Sequence, residues 1–356
     1  MVDNQNQFPV DKLLNWYEKN KRDLPWRTTK NPYFIWLSEV ILQQTRVKQG
    51  LPYYEKFVHN YPTIEHLAKA SESDVLRLWQ GLGYYSRARN MHKTAQIITQ
   101  DFNGIVPNNY KDLLRLKGIG KYTAAAIASF GFNENVAVLD GNVYRVLSRF
   151  FGIETDISSP KGEKEFREIA ENILPKNEKS SIFNQAIMEF GALQCTPQSP
   201  DCLFCPLESG CKALAKGKVN ELPIKLKKIK IKQRFFNYFI FEYDNKIAMK
   251  LRVDKDIWQG LNDFYLVEND SIFDKNTLKN IDFIGDYSEN IRLVSKIYTH
   301  ILTHQKIDIR FFHIVIKEEE MNKLTAKNYQ FYTKSEIEDL PKPILLANYY
   351  KDCINL

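Results

Sequence analysis

Apolar residues recur at spacings of three and four from residue 8 to about residue 215. Phe34, Leu37, Val40 and Ile41 form one such stripe and predict an amphipathic helix over Phe34 to Gln44. Leu67 to Trp79, Ala88 to Ile98, Leu113 to Leu116 and Val143 to Phe150 follow the same rhythm. Pro52, Pro62, Gly81, Gly83, Pro107, Gly118 and Gly120 punctuate them. After Phe235 the pattern becomes strand-like. Phe235 to Tyr243 is crowded with aromatics, Asp244-Asn245 marks a turn, and Lys246 to Val253 continues extended. Lys306 to Lys317 alternates Ile307, Ile309, Phe311 and His313 with other residues, while Ser335 to Leu340 and Ile344 to Tyr350 suit helices. The pattern predicts a mainly α N-terminal domain over 8–215 and an α+β C-terminal domain over 233–356.

Between them the composition shifts. From Lys212 to Lys232 eight lysines face a single acid, Glu221, with Pro223 inside. Residues 216–232 read as a basic interdomain linker, either a solvated tether or a strap along phosphates. A length of 356 residues agrees with two domains, and a hydrophobic share of 44% supplies two cores. The polar stretch Met1 to Phe8 lacks the apolar core of a secretion signal, and no run nears the ~18 apolar residues of a membrane helix. The expectation is a soluble, cytoplasmic protein with no membrane partner. A net charge of +7 permits a nucleic-acid partner without proving one.

Four of the five cysteines crowd between Cys195 and Cys211, and Cys353 stands apart. Cys195 is followed after six residues by Cys202, after two by Cys205 and after five by Cys211. Inside a cell such a cluster reads as a metal site before a disulfide framework. Four thiolates can hold zinc or an iron–sulfur cluster. One knuckle on one compact loop suits a single cluster, and spacing alone leaves zinc open.

Leu116-Lys117-Gly118-Ile119-Gly120-Lys121 lies between two helical segments, with an alanine-rich stretch after it. Glycines two apart let backbone amides converge at a helix N-terminus, which suits a phosphate. Over 113–130 this is either a helix-hairpin-helix that grips DNA without reading its sequence, with Gly118, Gly120 and Lys121 at the backbone, or an ordinary helical turn.

Two carboxylates complete the candidates. Glu39 shares a helix face with Trp36 and Gln43, and a carboxyl beside an aromatic ring can keep its proton near neutral pH. Asp140 follows the apolar run Val136 to Leu139 and precedes a helix; it is either a plain N-cap or an ionised partner for a cationic sugar. Glycosidic cleavage wants this pair, one protonated carboxyl for the leaving group and one carboxylate for the oxocarbenium-like sugar.

The hairpin, Leu139-Asp140-Gly141-Asn142-Val143 and the cysteine spacing together resemble the endonuclease III superfamily of DNA glycosylases. Leu24-Pro25-Trp26-Arg27, Ser38-Glu39-Val40-Ile41-Leu42-Gln43-Gln44-Thr45, the run Gly81 to Asn90 and Phe183-Asn184-Gln185-Ala186 narrow the resemblance to its adenine DNA glycosylase branch. The likeness covers roughly residues 8–215. It implies base excision repair of adenine mispaired with 8-oxoguanine or guanine in double-stranded DNA, by a monomer carrying one [4Fe–4S] cluster per chain on Cys195, Cys202, Cys205 and Cys211. It makes Glu39 the general acid and Asp140 the sugar stabiliser. Tyr122 supports the sugar site and Asn142 positions the reacting groups. Trp26, Arg27 and Gln185 line the adenine pocket, and Gln44 and Tyr84 enter the duplex as the base flips. Bifunctional relatives place a Schiff-base lysine where Tyr122 stands, so the resemblance implies a monofunctional enzyme, with Lys121 pointing elsewhere.

Ile257-Trp258-Gln259-Gly260-Leu261 and Phe264 resemble a Nudix-type fold, without the glutamate-rich box that binds magnesium. His300-Ile301-Leu302-Thr303-His304 aligns with the loop that contacts 8-oxoguanine in this branch; Leu302 replaces an aromatic and Thr303 keeps a hydroxyl. The implied role is recognition without hydrolysis. Two other readings are a bifunctional glycosylase for oxidised pyrimidines, opposed by Tyr122 and the second domain, and a non-catalytic DNA-binding scaffold, opposed by Glu39 and Asp140.

Overall fold

A computed structural model describes residues 8–176, 179–226, 230–281 and 283–353. The chain divides into two compact units, Met1–Lys69 with Asn90–Lys228, and Ala70–Arg89 with Ile229–Leu356.

The first unit is helical. Its elements are α1 (Val10–Asn20), α2 (Pro32–Ile41), α3 (Val47–Asn60) and α4 (Ile64–Lys69). Helix α5 (Glu72–Leu78) belongs to the second unit, and α6 (Ser86–Asp101) begins there and continues into the first. There follow α7 (Tyr110–Leu113), α8 (Lys121–Phe132), α9 (Gly141–Phe151), α10 (Pro160–Ile173), α11 (Ser180–Leu193) and α12 (Lys212–Ala215). Ala124, Ala125 and Ala126 are buried, and these small side chains let α2 approach α8 closely. A second core gathers Leu139, Val143, Leu147 and Phe150 with Phe166, Phe183, Ile187 and Phe190 from the neighbouring helices. Helix α11 meets α9 at a glycine: a Cβ on Gly191 would lie 2.7 Å from Cβ of Asn142. Any side chain there would push Asn142 out of place.

Three local expectations change. Helix α2 ends at Ile41, so Gln43 and Gln44 lie in the following turn, Gln44 at φ 55°. Pro52, read as a break, lies inside α3. The stripe from Leu67 to Trp79 splits into α4 and α5, because Ser71 caps α5 by accepting a hydrogen bond from the Asp74 amide at 3.0 Å.

The second unit is built on a sheet. Its long central strands, β1 (Lys232–Tyr243) and β7 (Gln305–Val315), pair in parallel from Lys232 opposite Gln305 to Glu242 opposite Val315. β2 (Lys246–Leu251) and β4 (Tyr265–Asn269) run antiparallel to β1. β3 (Asn262–Asp263) and β8 (Gln330–Tyr332) flank β2. β5 (Ile291–Val294) and β6 (Tyr298–Ile301) pair with β7. Phe236 to Phe241 are all buried, which is what a strand covered on both faces requires. One face packs Phe239, Phe241, Phe312 and Ile314, with α13 (Glu318–Ala326) contributing Leu324. On the other, Tyr238, Phe311 and Tyr349 stack, Phe311 and Tyr349 at 3.7 Å. Tyr349 belongs to α15 (Ile344–Cys353), which follows α14 (Lys334–Asp339).

Residues 70–89 were expected in the helical domain, yet they group with the second unit. The reason is local docking. Arg89 donates to the Gln259 carbonyl at 2.5 Å, and the flat backbone of Gly260 faces Leu76. The linker expectation of 216–232 reaches into β1, which already starts at Lys232; residues 227–229 lie outside the described residues.

Candidate active site

A cavity of about 680 Å³ opens in the first unit and contains Glu39, Tyr122, Asp140, Asn142, Trp26, Arg27 and Gln185 among its lining residues. Most of the site residues expected from the helical domain thus converge, although they come from a turn and four helices. Helix α2 is apolar enough to be buried along its length, and it carries Glu39 inward with it; Glu39 is only 6% exposed. Its Oε2 accepts a hydrogen bond from the Tyr122 hydroxyl at 2.5 Å. Burial raises the Glu39 carboxyl from its ordinary value to about 7; the nearby Asp140 charge adds to the rise, while the Tyr122 bond and Arg27 oppose it. The aromatic hydrogen-bonded to Glu39 is Tyr122 of α8, and burial rather than that contact raises the carboxyl. Gln43, beyond the helix end, donates to Thr123 Oγ1 at 3.2 Å.

Asp140 is the N-cap of α9. Its Oδ1 accepts from the Val143 amide at 2.8 Å and its Oδ2 from Asn142 Nδ2 at 2.7 Å. Burial raises its carboxyl too, but these two donors and Arg145 work in the opposite direction. The same residue is thus both a cap and a wall of the cavity, so the two sequence readings are not exclusive. The environments differ in kind: Glu39 receives one phenol, whereas Asp140 receives a backbone amide and a side-chain amide that favour its charged form.

The side of the cavity lined by Arg27 and Gln185 has a feature absent from the sequence reading. Arg27 does not reach into open space; its Nη1 and Nη2 donate to Glu189 Oε1 and Oε2 at 2.8 and 2.6 Å. Arg22 clamps the same carboxylate, with Nη2 on Oε2 at 2.5 Å. The two guanidiniums overcome burial and hold the Glu189 carboxyl down at about 2. Glu189 follows Gln185 by one helical turn on α11, so its i+4 spacing was the signal available. Gln185 is oriented by the Tyr17 hydroxyl, which donates to its Oε1 at 3.2 Å. Trp26 packs edge-on to Tyr54 at 5.1 Å.

Arg145 is the second residue that sequence reasoning missed. It donates to the Cys195 carbonyl at 2.7 Å, to the Gly191 carbonyl at 2.5 Å and to Asn142 Oδ1 at 2.9 Å. It therefore ties the cysteine loop to the helix that carries Asp140. Arg149, one turn on, reaches Cys195 Sγ at 3.3 Å and the Thr196 carbonyl at 2.7 Å.

The hairpin forms between α7 and α8. Gly118 has φ +77°, and a Cβ there would stand 2.7 Å from Cβ of Asn90. Gly120 caps α8 with open space around it. Lys121 points away from the cavity and pairs with Glu163 of α10 at 2.5 Å. Gln44 is exposed in the turn after α2.

The remaining residues lie in the second unit. Leu302-Thr303-His304 forms the turn between β6 and β7, closed by Leu302 N–H donating to the Gln305 carbonyl at 2.8 Å. Thr303 and His304 are exposed, and Thr303 shares a hydrogen bond with the hydroxyl of Tyr84. This turn borders a cavity of about 490 Å³ whose other walls include Tyr84, Trp258 and His300.

Two family models match the chain: the HhH-GPD superfamily of base excision DNA repair proteins over residues 37–176, and the NUDIX domain over 237–351. An adenine DNA glycosylase of Buchnera aphidicola (subsp. Baizongia pistaciae) is 41% identical over 287 residues, covering 78% of this chain and 81% of that protein. The chain belongs to the adenine DNA glycosylase family. The human adenine DNA glycosylase is 42% identical over 56% of this chain and 38% of its own length. Among solved structures, a thermostable thymine-DNA glycosylase superimposes with a TM-score of 0.54 at 32% identity, over 58% of this chain and 95% of its own. A non-covalent endonuclease III–DNA complex, at 23% identity and a TM-score of 0.51 over 58% of this chain and 94% of its own, shares the fold.

As an adenine DNA glycosylase this protein is a hydrolase of N-glycosidic bonds that acts on DNA in base excision repair. Such proteins generally carry an iron–sulfur cluster. Cys195, Cys202, Cys205 and Cys211 are all free thiols, and Cys195, Cys205 and Cys211 pack against the helical core. Among the described residues no three His, Cys, Asp or Glu side chains converge on a single metal ion. The donor set nevertheless fits a cluster: four soft sulfurs on one loop, close enough to feel each other's charge, with the Arg149 guanidinium beside one of them. Among the described residues no helix is long and apolar enough to cross a membrane.

Proposed function

We propose that this glycosylase excises adenine mispaired with 8-oxoguanine, or with guanine, as a monofunctional enzyme. The observation that carries this reading is the cavity in which Glu39, raised to about 7 and hydrogen-bonded to Tyr122, lies with Asp140. Protonated Glu39 gives its proton to the adenine ring. The glycosidic bond then breaks with its electron pair going to the base, and positive charge develops on the sugar. Asp140, held by Val143 and Asn142, faces that charge as a carboxylate. The Glu39 carboxylate next takes a proton from the water that adds to the sugar. No amine replaces the phenol of Tyr122, so no imine forms and the strand stays intact.

Trp26, Gln185 and the clamped Arg27 are the groups for the extruded adenine, while Gln44 and Tyr84 fill the duplex. Gly118, Gly120 and Lys121 serve the phosphate backbone. Leu302, Thr303 and His304 read the base opposite adenine. Cys195, Cys202, Cys205 and Cys211 hold a [4Fe–4S] cluster, which when bound ties the 195–211 loop into one rigid piece.

The test is a duplex assay with adenine opposite 8-oxoguanine, guanine, cytosine or thymine, followed by alkali. Release opposite the first two supports the reading, and no release opposite either sinks it. Borohydride should trap no covalent adduct; a strong adduct that vanishes in Lys121→Ala would restore the bifunctional reading. Because the acid form of Glu39 is needed, the rate should fall as pH rises through about 7.

A further inference from the structure

The turn that carries Thr303 is short, residues 302–304 between β6 and β7. Leu302 N–H donates to the Gln305 carbonyl across its base, the His304 carbonyl accepts from Lys232 N–H at 2.9 Å, and the Thr303 hydroxyl meets that of Tyr84. A further hold on its foot lies underneath, in a buried guanidinium that the sequence does not distinguish from other arginines. Arg234 sits on the central strand β1 with its side chain only 6% exposed. Its Nε and Nη2 donate to Glu268 Oε1 and Oε2 at 2.8 and 2.6 Å. Nη1 and Nη2 donate to Asp256 Oδ1 and Oδ2 at 2.9 and 2.7 Å. Nη1 also donates to Gln305 Oε1 at 3.0 Å. These bonds match all five N–H groups of a guanidinium. Its flat face lies 4.7 Å from the ring of Phe236.

The three partners are not equivalent to the fold. Glu268 is on β4 and anchors the bracket to the sheet. Gln305 is the first residue of β7, directly after His304, and so is the foot of the reading turn. Asp256 leads into Ile257-Trp258, the opposite wall of the 490 Å³ cavity. Trp258 is held there at φ +61°, a left-handed conformation costly for a bulky residue, and packs 5.8 Å from His300. One guanidinium therefore sets the separation between the Thr303 turn and the Trp258 wall.

We propose that Arg234 is a positioning residue for base selection: it aligns the Thr303 turn and so sets the preference for 8-oxoguanine over guanine opposite adenine. This rests on the reading of that turn given above. The two purines differ only at C8 and N7, where the oxidised base has a carbonyl and an N–H donor. A hydroxyl can tell them apart only if it is held to a fraction of an ångström, and a planar, bidentate fork supplies that where a lysine ammonium does not.

The experiment compares single-turnover excision opposite 8-oxoguanine and opposite guanine in the whole enzyme, for the native protein, Thr303→Val, Arg234→Lys and Gln305→Ala. Gln305→Ala removes one hydrogen bond at a half-buried position and guards against misfolding of the buried variant. The preference ratio should drop about tenfold in Arg234→Lys and about threefold in Gln305→Ala, through the 8-oxoguanine rate. An unaltered ratio in both, with the ratio lost in Thr303→Val, overturns the inference and leaves the reading of the turn intact. Equal loss opposite both bases in Gln305→Ala makes the bracket merely structural and overturns it as well. An unaltered ratio in Thr303→Val removes the reading and this inference together.

Discussion

Glu39 shows how one residue's placement bears on stability and, in the proposed mechanism, on activity. Its carboxyl, at about 7 in the fold against an ordinary 4.5, takes up a proton on folding. Its contribution to stability is full below about pH 4.5 and is lost as pH rises to about 7, a difference of about 3 kcal/mol. Glu39→Gln should therefore abolish adenine release yet raise the melting temperature at pH 8, with little change at pH 5; thermal melts at both values check this. A destabilised Glu39→Gln at pH 8 would contradict the burial argument. Tyr122→Phe tests the other half of the pair. The phenol lowers the Glu39 carboxyl, so its loss should shift the alkaline limb of the pH–rate profile to higher pH. A limb displaced to lower pH would show that the hydrogen bond acts otherwise. Glu39 and Asp140 were legible as candidates, because their chemistry suits glycosidic cleavage. Their environments were not: Tyr122 is 83 residues from Glu39 in sequence, and Glu189 is 162 from Arg27.

At the scale of elements, the hairpin between α7 and α8 was legible because it is local. The positive φ of Gly118 is a property of the turn itself, whereas its close approach is to Asn90 of α6, far off in sequence. Gly118→Ala should cost about 1–3 kcal/mol and weaken binding to every duplex, matched or mismatched, by a similar factor. Titrations of matched and mismatched duplexes would show it, and loss confined to mismatches would argue against a backbone role. Helix limits were less legible. Apolar spacing ran on through Ala70 and past Ile41, while capping by Ser71 and the turn at Gln44 stopped the helices earlier. Strand β1 was legible in type through its aromatics, but not its parallel pairing with β7, which lies some 70 residues away.

For the whole molecule, Arg145 and Arg149 tie the cysteine loop to the helical core. Cys202→Ser should yield protein with less than the about four irons per chain of a complete cluster, weaker visible absorbance and faster proteolysis within 195–211. Native protein carrying one zinc and no iron would reverse the assignment. The second unit shows why domain limits drawn from composition miss structure. Residues 70–89 have helical periodicity, yet Arg89, Leu76 and Tyr84 lodge against the sheet unit through Gln259, Gly260 and Thr303.

Near neighbours and chemical type already specify four cysteines on one loop, a glycine hairpin, two carboxylates in recognisable motifs and a change of hydrophobic period near Phe235. Which groups share a proton and which share a charge follows from packing. It put Tyr122 on Glu39, Glu189 under Arg27, and Arg234 beneath the Thr303 turn. The reason is that periodicity reports which face is buried, while burial sets how strongly two distant charges must find each other. Those meetings are products of the packed chain, and they are where a carboxyl near neutrality and a buttressed 302–304 turn arise.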